Sequence, residues 1–396
     1  MHERCGRFLT CFRRWIVAGI CLLGLFCLVQ ACYADGIVLN RFRVSPSVSV
    51  SENYSDNIFL TSSDEDGELI TAISPEVSLD FALAVRNIVN LTYKMNYLIH
   101  SRFQNFKKDT HNLSLSYRYR TLKGSKVSLG TDVDFDSIQP YSASDGHKDF
   151  RKNTFYIDAL ALLSSATESG LRISHQSRRY EDSRYEIDEY DRSTVTVSAG
   201  HRMSPVTTVF LEYAYYYQEN HVPSGFPSTD MNTNTVFLGA KWAATQKVSG
   251  VLKAGYTSTD FKEVSDFSGV VADTDVTYRL SDFTRFELTV FRTLVKSTVT
   301  ARESGTYYIS EGGGFVAAYA GWYPLVIRAG LLYRRNDYSD GLDRKDRLFS
   351  SALKAVYGYR GWLDCLISYE YRRNDSNVDG ETYGENRIAF MMKFSI

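Results

Sequence analysis

The sequence has 396 residues and a formal net charge of −1, so no strongly basic surface argues for binding nucleic acid. It holds 28 Tyr and 23 Phe but only 7 Pro, a composition suited to strands and unlike that of a disordered chain. Beyond the N-terminus no apolar run approaches the roughly 18–20 residues a membrane-crossing helix needs, so any insertion into a bilayer must use strands.

The N-terminal segment reads as a targeting signal. Arg4, Arg7, Arg13 and Arg14 precede an apolar stretch from Trp15 to Val29. Cys32-Tyr33-Ala34, followed by Asp35, fits a small-x-small cleavage site. The expected division is a cleaved signal peptide at 1–34 and one mature domain at 35–396. Lipoprotein processing at Val29-Gln30-Ala31-Cys32 is the competing reading, and Gln30 fits it poorly. Only Cys365 lies outside this segment, which leaves the mature domain without an internal disulfide.

From about residue 45 onward the chain alternates polar and apolar residues, the period of a strand with two unlike faces. Asn90–Tyr97, His111–Arg120 and Arg192–Ala199 show this without a break. The segments run to about 10–13 residues, the length of tilted membrane strands and longer than most strands of soluble sheets. Tyr213, Tyr215 and Tyr217, Tyr357 and Tyr359, and Tyr369 and Tyr371 cluster near segment ends, as in interfacial aromatic girdles. Short connections near 84–87, 122–126, 164–169, 203–206, 244–247, 281–282, 321–324 and 359–361 interleave with long polar ones. The long set lies near 55–68, 104–110, 139–152, 181–190, 220–231, 261–269, 300–305, 338–345 and 375–383. Outer-membrane barrels pair short periplasmic turns with long outer loops. The expected fold is therefore all-β: one transmembrane antiparallel up-and-down barrel of about 18 strands (16–20), with no plug, periplasmic or passenger domain. The last segment places Phe390, Phe394 and Ile396 on one face, a terminal pattern similar to that read by the barrel-assembly machinery.

If the apolar face meets lipid, the polar face lines the interior. The candidate interior basic residues are Arg118, Arg120, Arg172, Arg178, Arg328, Arg334 and Arg372, within a larger basic set. The acidic set is smaller and gathers at Asp132, Asp134 and Asp136; Glu370 shares a face with Arg372. Such a wall either favours anionic solutes or is internal salt-bridge lining. Asp375-Ser376-Asn377-Val378-Asp379-Gly380 matches the opening of an EF-hand loop, but Asn386 stands where the bidentate Glu belongs. Asp375, Asn377 and Asp379 are thus a candidate loop cation site, with a solvated turn as the plainer reading. Gly312-Gly313-Gly314 lacks the Lys-Ser/Thr of a phosphate loop and reads as a bend or close approach in a strand. His100, His111, His147, His175, His201 and His221 are scattered, without a catalytic or metal-site motif. No enzyme activity, cofactor or confident metal site is expected.

One stretch carries a resemblance. Glu52-Asn53-Tyr54-Ser55-Asp56-Asn57-Ile58-Phe59 ends the first strand, and Ile70-Thr71-Ala72-Ile73-Ser74-Pro75 opens the second. This E-x-Y-x-D-N-I-F and I-T-x-I-S-P pair, within about 35 residues, resembles the β-barrel porin type 2 family of Gram-negative outer membranes. The resemblance implies an outer-membrane location and a link to exopolysaccharide production. The functional expectation is passive export of a polysaccharide or another anionic polar solute. Expected partners are outer-membrane lipid and lipopolysaccharide, the assembly machinery, the polymer and envelope export proteins. A general diffusion porin and a loop-closed scaffolding barrel are the alternatives.

Overall fold

A computed structural model describes residues 36–106, 108–138, 148–221, 228, 230–243, 245–263, 265–296, 307–339 and 343–396. The expected signal peptide and much of the outer loops around 139–147, 222–227 and 297–306 lie outside them, as does His147.

The strands in chain order are β1 (Ile37–Leu39), β2 (Phe42–Ser55), β3 (Glu68–Ala84), β4 (Asn87–His100), β5 (Lys108–Arg120), β6 (Lys126–Ile138), β7 (Lys148–Leu162), β8 (Thr167–Tyr180), β9 (Tyr190–Ser204) and β10 (Thr207–Asn220). They continue as β11 (Met231–Trp242), β12 (Val248–Phe261), β13 (Phe267–Arg279), β14 (Thr284–Lys296), β15 (Tyr307–Trp322), β16 (Leu325–Tyr338), β17 (Lys345–Tyr359), β18 (Leu363–Ser376) and β19 (Tyr383–Ser395). Short 3-10 turns occupy Gln104–Phe106 and Ser183–Asp188.

From β2 to β19 every strand pairs antiparallel with its neighbours in sequence, and β19 pairs with β2. The result is a closed barrel of 18 strands. Strand β1 stands outside that count. It pairs only with the foot of β2, Ile37 opposite Val44, below the point where β19 ends opposite Ser47. Closure leaves none of the 18 barrel strands at an open edge, which a lipid solvent requires.

Strand alternation becomes two chemically distinct surfaces. Leu113, Leu115, Tyr213, Leu238, Leu331 and Phe390 belong to one exposed apolar face. The polar residues between them fall on the other. Curvature identifies the polar face as the inner one. Lys241 of β11 lies 3.6 Å from Glu168 of β8, across two intervening strands, and Lys253 of β12 lies 3.4 Å from Glu212 of β10. Strand spacing is about 4.8 Å, so reaches of this kind occur on the concave side. On the outer face Tyr213, Tyr215 and Tyr369 turn their hydroxyls to Asn234, Asn232 and Asn386, at 2.6, 3.0 and 2.7 Å. This satisfies the polar end of a ring whose body faces lipid. A Cβ on Gly312 would run into the Tyr333 carbonyl oxygen, so the glycine run marks close backbone approach.

The E-x-Y-x-D-N-I-F stretch closes the seam. Asp56 Oδ1 accepts the Asn386 backbone N–H at 2.7 Å, and Oδ2 accepts Asn386 Nδ2 at 2.6 Å. Ser55 Oγ donates to buried Glu385 at 2.7 Å. Fully buried Asn57 donates from Nδ2 to the Thr61 and Gly384 carbonyls, at 2.8 and 2.9 Å, and accepts from the Thr61 N–H at 2.9 Å. First and last strands are thereby tied at the outer rim. The Asp56→Ala/Asn57→Ala double variant is expected to lose about 2–4 kcal/mol, the scale of several buried, partly charge-assisted hydrogen bonds. A lower unfolding midpoint of the detergent-solubilised barrel checks it.

Candidate channel lumen

The inner wall divides into charges that neutralise one another and charges that do not. Arg172 pairs with Asp158 at 2.7 Å, Lys152 with Asp134 at 2.8 Å and Arg285 with Glu287 at 2.9 Å. Arg372 pairs with Glu370 at 2.9 Å, and Arg387 with Glu385 at 2.6 Å. These pairs are lining that satisfies a polar interior. Arg118, Arg120, Arg328 and Arg334 also lie on the inner face, each directly across from another inner-face residue of the next strand. Among the described residues none of these four has a carboxylate within ion-pair distance.

Both signs occur all round the wall: Lys152 of β7 meets Asp134 of β6, and β13 carries Asp273 and Asp275 on the same face as Arg279. Asp132, Asp134 and Asp136 share the inner face of β6. Arg279, Arg285, Arg328 and Lys354 occupy the inner face of β13, β14, β16 and β17, the arc across the barrel. A solute inside therefore meets both signs, with three carboxylates gathered on β6 and four cations on the arc from β13 to β17.

Outer connections narrow the mouth. Ile58, Phe59 and Phe106 are buried together against Ile70 and Phe103, with Phe59 edge-on to Phe103 at 5.0 Å. Ile70 is an inner-face residue of β3, so this small core seats two outer connections on the lumen side. A second cluster joins Met231 and Phe261, on the inner face of β11 and β12, to Leu294 and Tyr307. Alternation alone would send Leu294 and Tyr307 to lipid. However, β13 pairs with β14 only as far as Arg292, and beyond it the β14–β15 hairpin turns inward. Phe261 and Tyr307 stack at 5.1 Å, and Lys296 Nζ donates to Asn220 Oδ1 of β10. A third element, the turn at Ser183–Asp188, sets the Tyr185 ring 4.7 Å from Lys148 Nζ, and Asp188 3.9 Å from the same ammonium. Burial raises the Asp188 carboxyl above its usual range, against the opposing pull of Lys148 and Arg178.

Below the mouth an aromatic–guanidinium stack crosses β7 to β10. Arg178 lies 4.6 Å from the Phe150 ring and 5.2 Å from Tyr190; Arg192 lies 4.6 Å from Tyr190 and 5.2 Å from Tyr216. Arg192 also donates to Gln218 Oε1 at 3.1 and 2.9 Å. Sequence reasoning missed this, because it assigned aromatic rings near strand ends to the lipid interfaces. The available signal was parity: Phe150, Tyr190 and Tyr216 share the parity of the polar set of their own strands.

The candidate loop cation residues are engaged separately. Asp375 accepts from Arg373 at 2.9 Å; Asn377 accepts from the Lys345 N–H at 2.6 Å and donates to the Asp343 carbonyl at 2.8 Å; Asp379 is exposed. No group of three or more His, Cys, Asp or Glu side chains is gathered for a metal among the described residues. The histidines are dispersed. His100 lies inside beside Glu68, His111 bonds Tyr93 and Asp109 on the outer face, and His221 bonds Asp191 at the rim. Phe390 and Phe394 lie on the lipid face of β19, opposite Ile367 and Leu363, and the Ile396 N–H donates to the Pro46 carbonyl at 3.1 Å.

Solved outer-membrane channels share this architecture. OccK2 (OpdF) of Pseudomonas aeruginosa, in complex with glucuronate, aligns with a TM-score of 0.54 at 9% identity, over 91% of this chain and 100% of that one. OccK1 (OpdK) of the same organism gives 0.52 at 8%, over 89% and 99%. OccAB3 of Acinetobacter baumannii gives 0.52 at 9%, over 90% and 100%. At such identity the likeness shows the fold. No curated protein matches the sequence. The family described as "Putative beta-barrel porin 2" does match, over residues 30–395. With its closed barrel, polar lumen and lipid-facing apolar surface, the chain belongs to that family and is a porin-like channel of the outer membrane.

Proposed function

We propose that the lumen conducts anionic polar solutes, and that acidic exopolysaccharide leaving the cell is the favoured cargo. The observation that carries this reading is the set of inner-wall guanidinium groups without a neighbouring carboxylate: Arg118, Arg120, Arg328 and Arg334. A channel that only needed a polar interior could pair these too, as it pairs Arg172 and Arg372. Unpaired guanidinium groups offer two-pronged contacts to carboxylates, weak enough in a wet lumen to release as the solute advances. That a fold neighbour is in complex with glucuronate, a carboxylated sugar, accords with this chemistry. Passage is passive, and the driving force comes from synthesis of the polymer or from envelope export proteins.

Single-channel recording in planar bilayers tests the reading. Wild type is expected to prefer anions, and Arg118→Glu/Arg328→Glu to shift the reversal potential toward cations. A wild-type current indifferent to ion sign and to acidic polymer would favour a general diffusion porin.

A further inference from the structure

Basic residues on the arc from β13 to β17 are in register. Arg279 is directly across from Arg285, Arg285 from Ala318, Ala318 from Arg328, and Arg328 from Lys354. One cross-strand row on the inner face thus carries four cations on four of five consecutive strands, with the small Ala318 between. Arg285 shares its charge with Glu287 at 2.9 Å; among the described residues Arg279, Arg328 and Lys354 have no carboxylate within 4 Å.

The row borders a cavity of about 700 Å³ at the short-turn end of the barrel, lined by Lys247, Arg279, Arg285, Ala318 and Arg328, with Asp282 as its acidic member. The cavity floor is built and not loose. The Arg279 N–H donates to the Lys247 carbonyl at 2.7 Å, the Leu280 N–H to the Thr284 carbonyl at 2.9 Å and the Ala320 N–H to the Phe283 carbonyl at 2.8 Å. Ser281 Oγ accepts from the Phe283 and Thr284 N–H groups at 3.3 and 3.1 Å. Short turns mark the periplasmic side of an outer-membrane barrel, so this cavity opens to the periplasm.

We propose that this row and cavity form a loading site at the periplasmic mouth for a linear, carboxylated glycan. The proposal rests on the anion-channel reading and adds the place and direction of capture. Neighbouring strands are about 4.8 Å apart, close to the advance of one pyranose residue along an extended chain. Successive uronate carboxylates can therefore lie along the row and meet Arg279, Arg285, Arg328 and Lys354 in turn, while Lys247 guards the turn below. A compact anion has no use for a row of this length. Lys247 and Arg328 face the same cavity from different turns and strands, which favours a ligand that spans it.

The test measures equilibrium binding of an oligogalacturonate to the full-length, detergent-purified barrel, with a neutral maltooligosaccharide and inorganic phosphate as comparison probes. The Arg279→Gln/Arg328→Gln variant is expected to weaken oligogalacturonate binding about a hundredfold, roughly tenfold per lost charge-assisted contact. Lys247→Gln, a surface change in a turn, should weaken it less. In bilayers of known orientation the oligomer should block current from the short-turn side at lower concentration than from the loop side. Phosphate binding as tight as that of the oligomer would overturn the glycan assignment. Oligomer binding unchanged in Arg279→Gln/Arg328→Gln would overturn the site, whether or not the channel conducts anions. Binding that depends on these arginines in a barrel carrying no current would uphold the site and refute the channel reading.

Discussion

Replacing Phe59 and Phe106 with alanine should widen the channel without unmaking the barrel. Both side chains are buried, and with Ile58 they form the cluster that seats two outer connections on the inner wall at Ile70. Truncating a buried Phe to Ala costs about 3–5 kcal/mol in a packed core. Backbone bonds such as Ile58 N–H to the Asp66 carbonyl at 2.9 Å remain, so the cost falls on the packing of the connections against the wall. The strand ladder from β2 to β19 is untouched. The expected result is a clear rise in single-channel conductance with an unfolding midpoint close to that of wild type. Seam bonds from Asp56 and Asn57 remain in this variant, so its contrast with Asp56→Ala/Asn57→Ala separates docking of the mouth from closure of the barrel. A conductance equal to wild type would mean that the narrowest point lies elsewhere, with the inward-turned hairpin around Leu294 and Tyr307 the next place to cut.

The second large effect comes from two adjacent leucines of β16. Leu331 is 52% exposed on the apolar outer face, whereas Leu332 points inward, in register with Gly314 and Ser350. An arginine on the lipid face near the bilayer midplane costs about 2–4 kcal/mol, while one in the lumen can remain hydrated. Leu331→Arg is therefore expected to destabilise the barrel by that amount in reversible unfolding in lipid. Leu332→Arg should leave stability near wild type and lower the cation permeability, because it joins the basic arc of Arg328 and Arg334. Equal losses from both substitutions would contradict the assignment of faces.

Alternation made most of the barrel legible before any fold was in view. In His111–Arg120 each apolar residue predicts a lipid-facing neighbour two places on, and the structure follows that parity through β5. The period is a property of the extended backbone itself, and the bilayer leaves closed sheets as the only strand solution. The strand count and the interleaving of short and long connections came from the same source. The D-N-I-F stretch was visible as a resemblance, but its work was not. Asp56 and Asn386 are 330 residues apart and meet only because the last strand returns to the first.

What the tertiary structure decided is the register between strands, and every contact between strands that are not neighbours or between a loop and the wall. Which arginines are neutralised could not be read from the chain: Arg172 meets Asp158 and Arg328 meets no carboxylate, because register sets the cross-strand partner. The ordering of Arg279, Arg285, Arg328 and Lys354 into one row is likewise a consequence of register. The inward turn of Leu294 and Tyr307 reverses the parity of their own strands once pairing with β13 stops at Arg292. By itself the sequence determined an outer-membrane-type barrel with a polar lumen, because local periodicity and the lipid solvent suffice for that. The shape of the mouth and the pattern of free charge inside it were decided by closure, which brings distant residues to one wall.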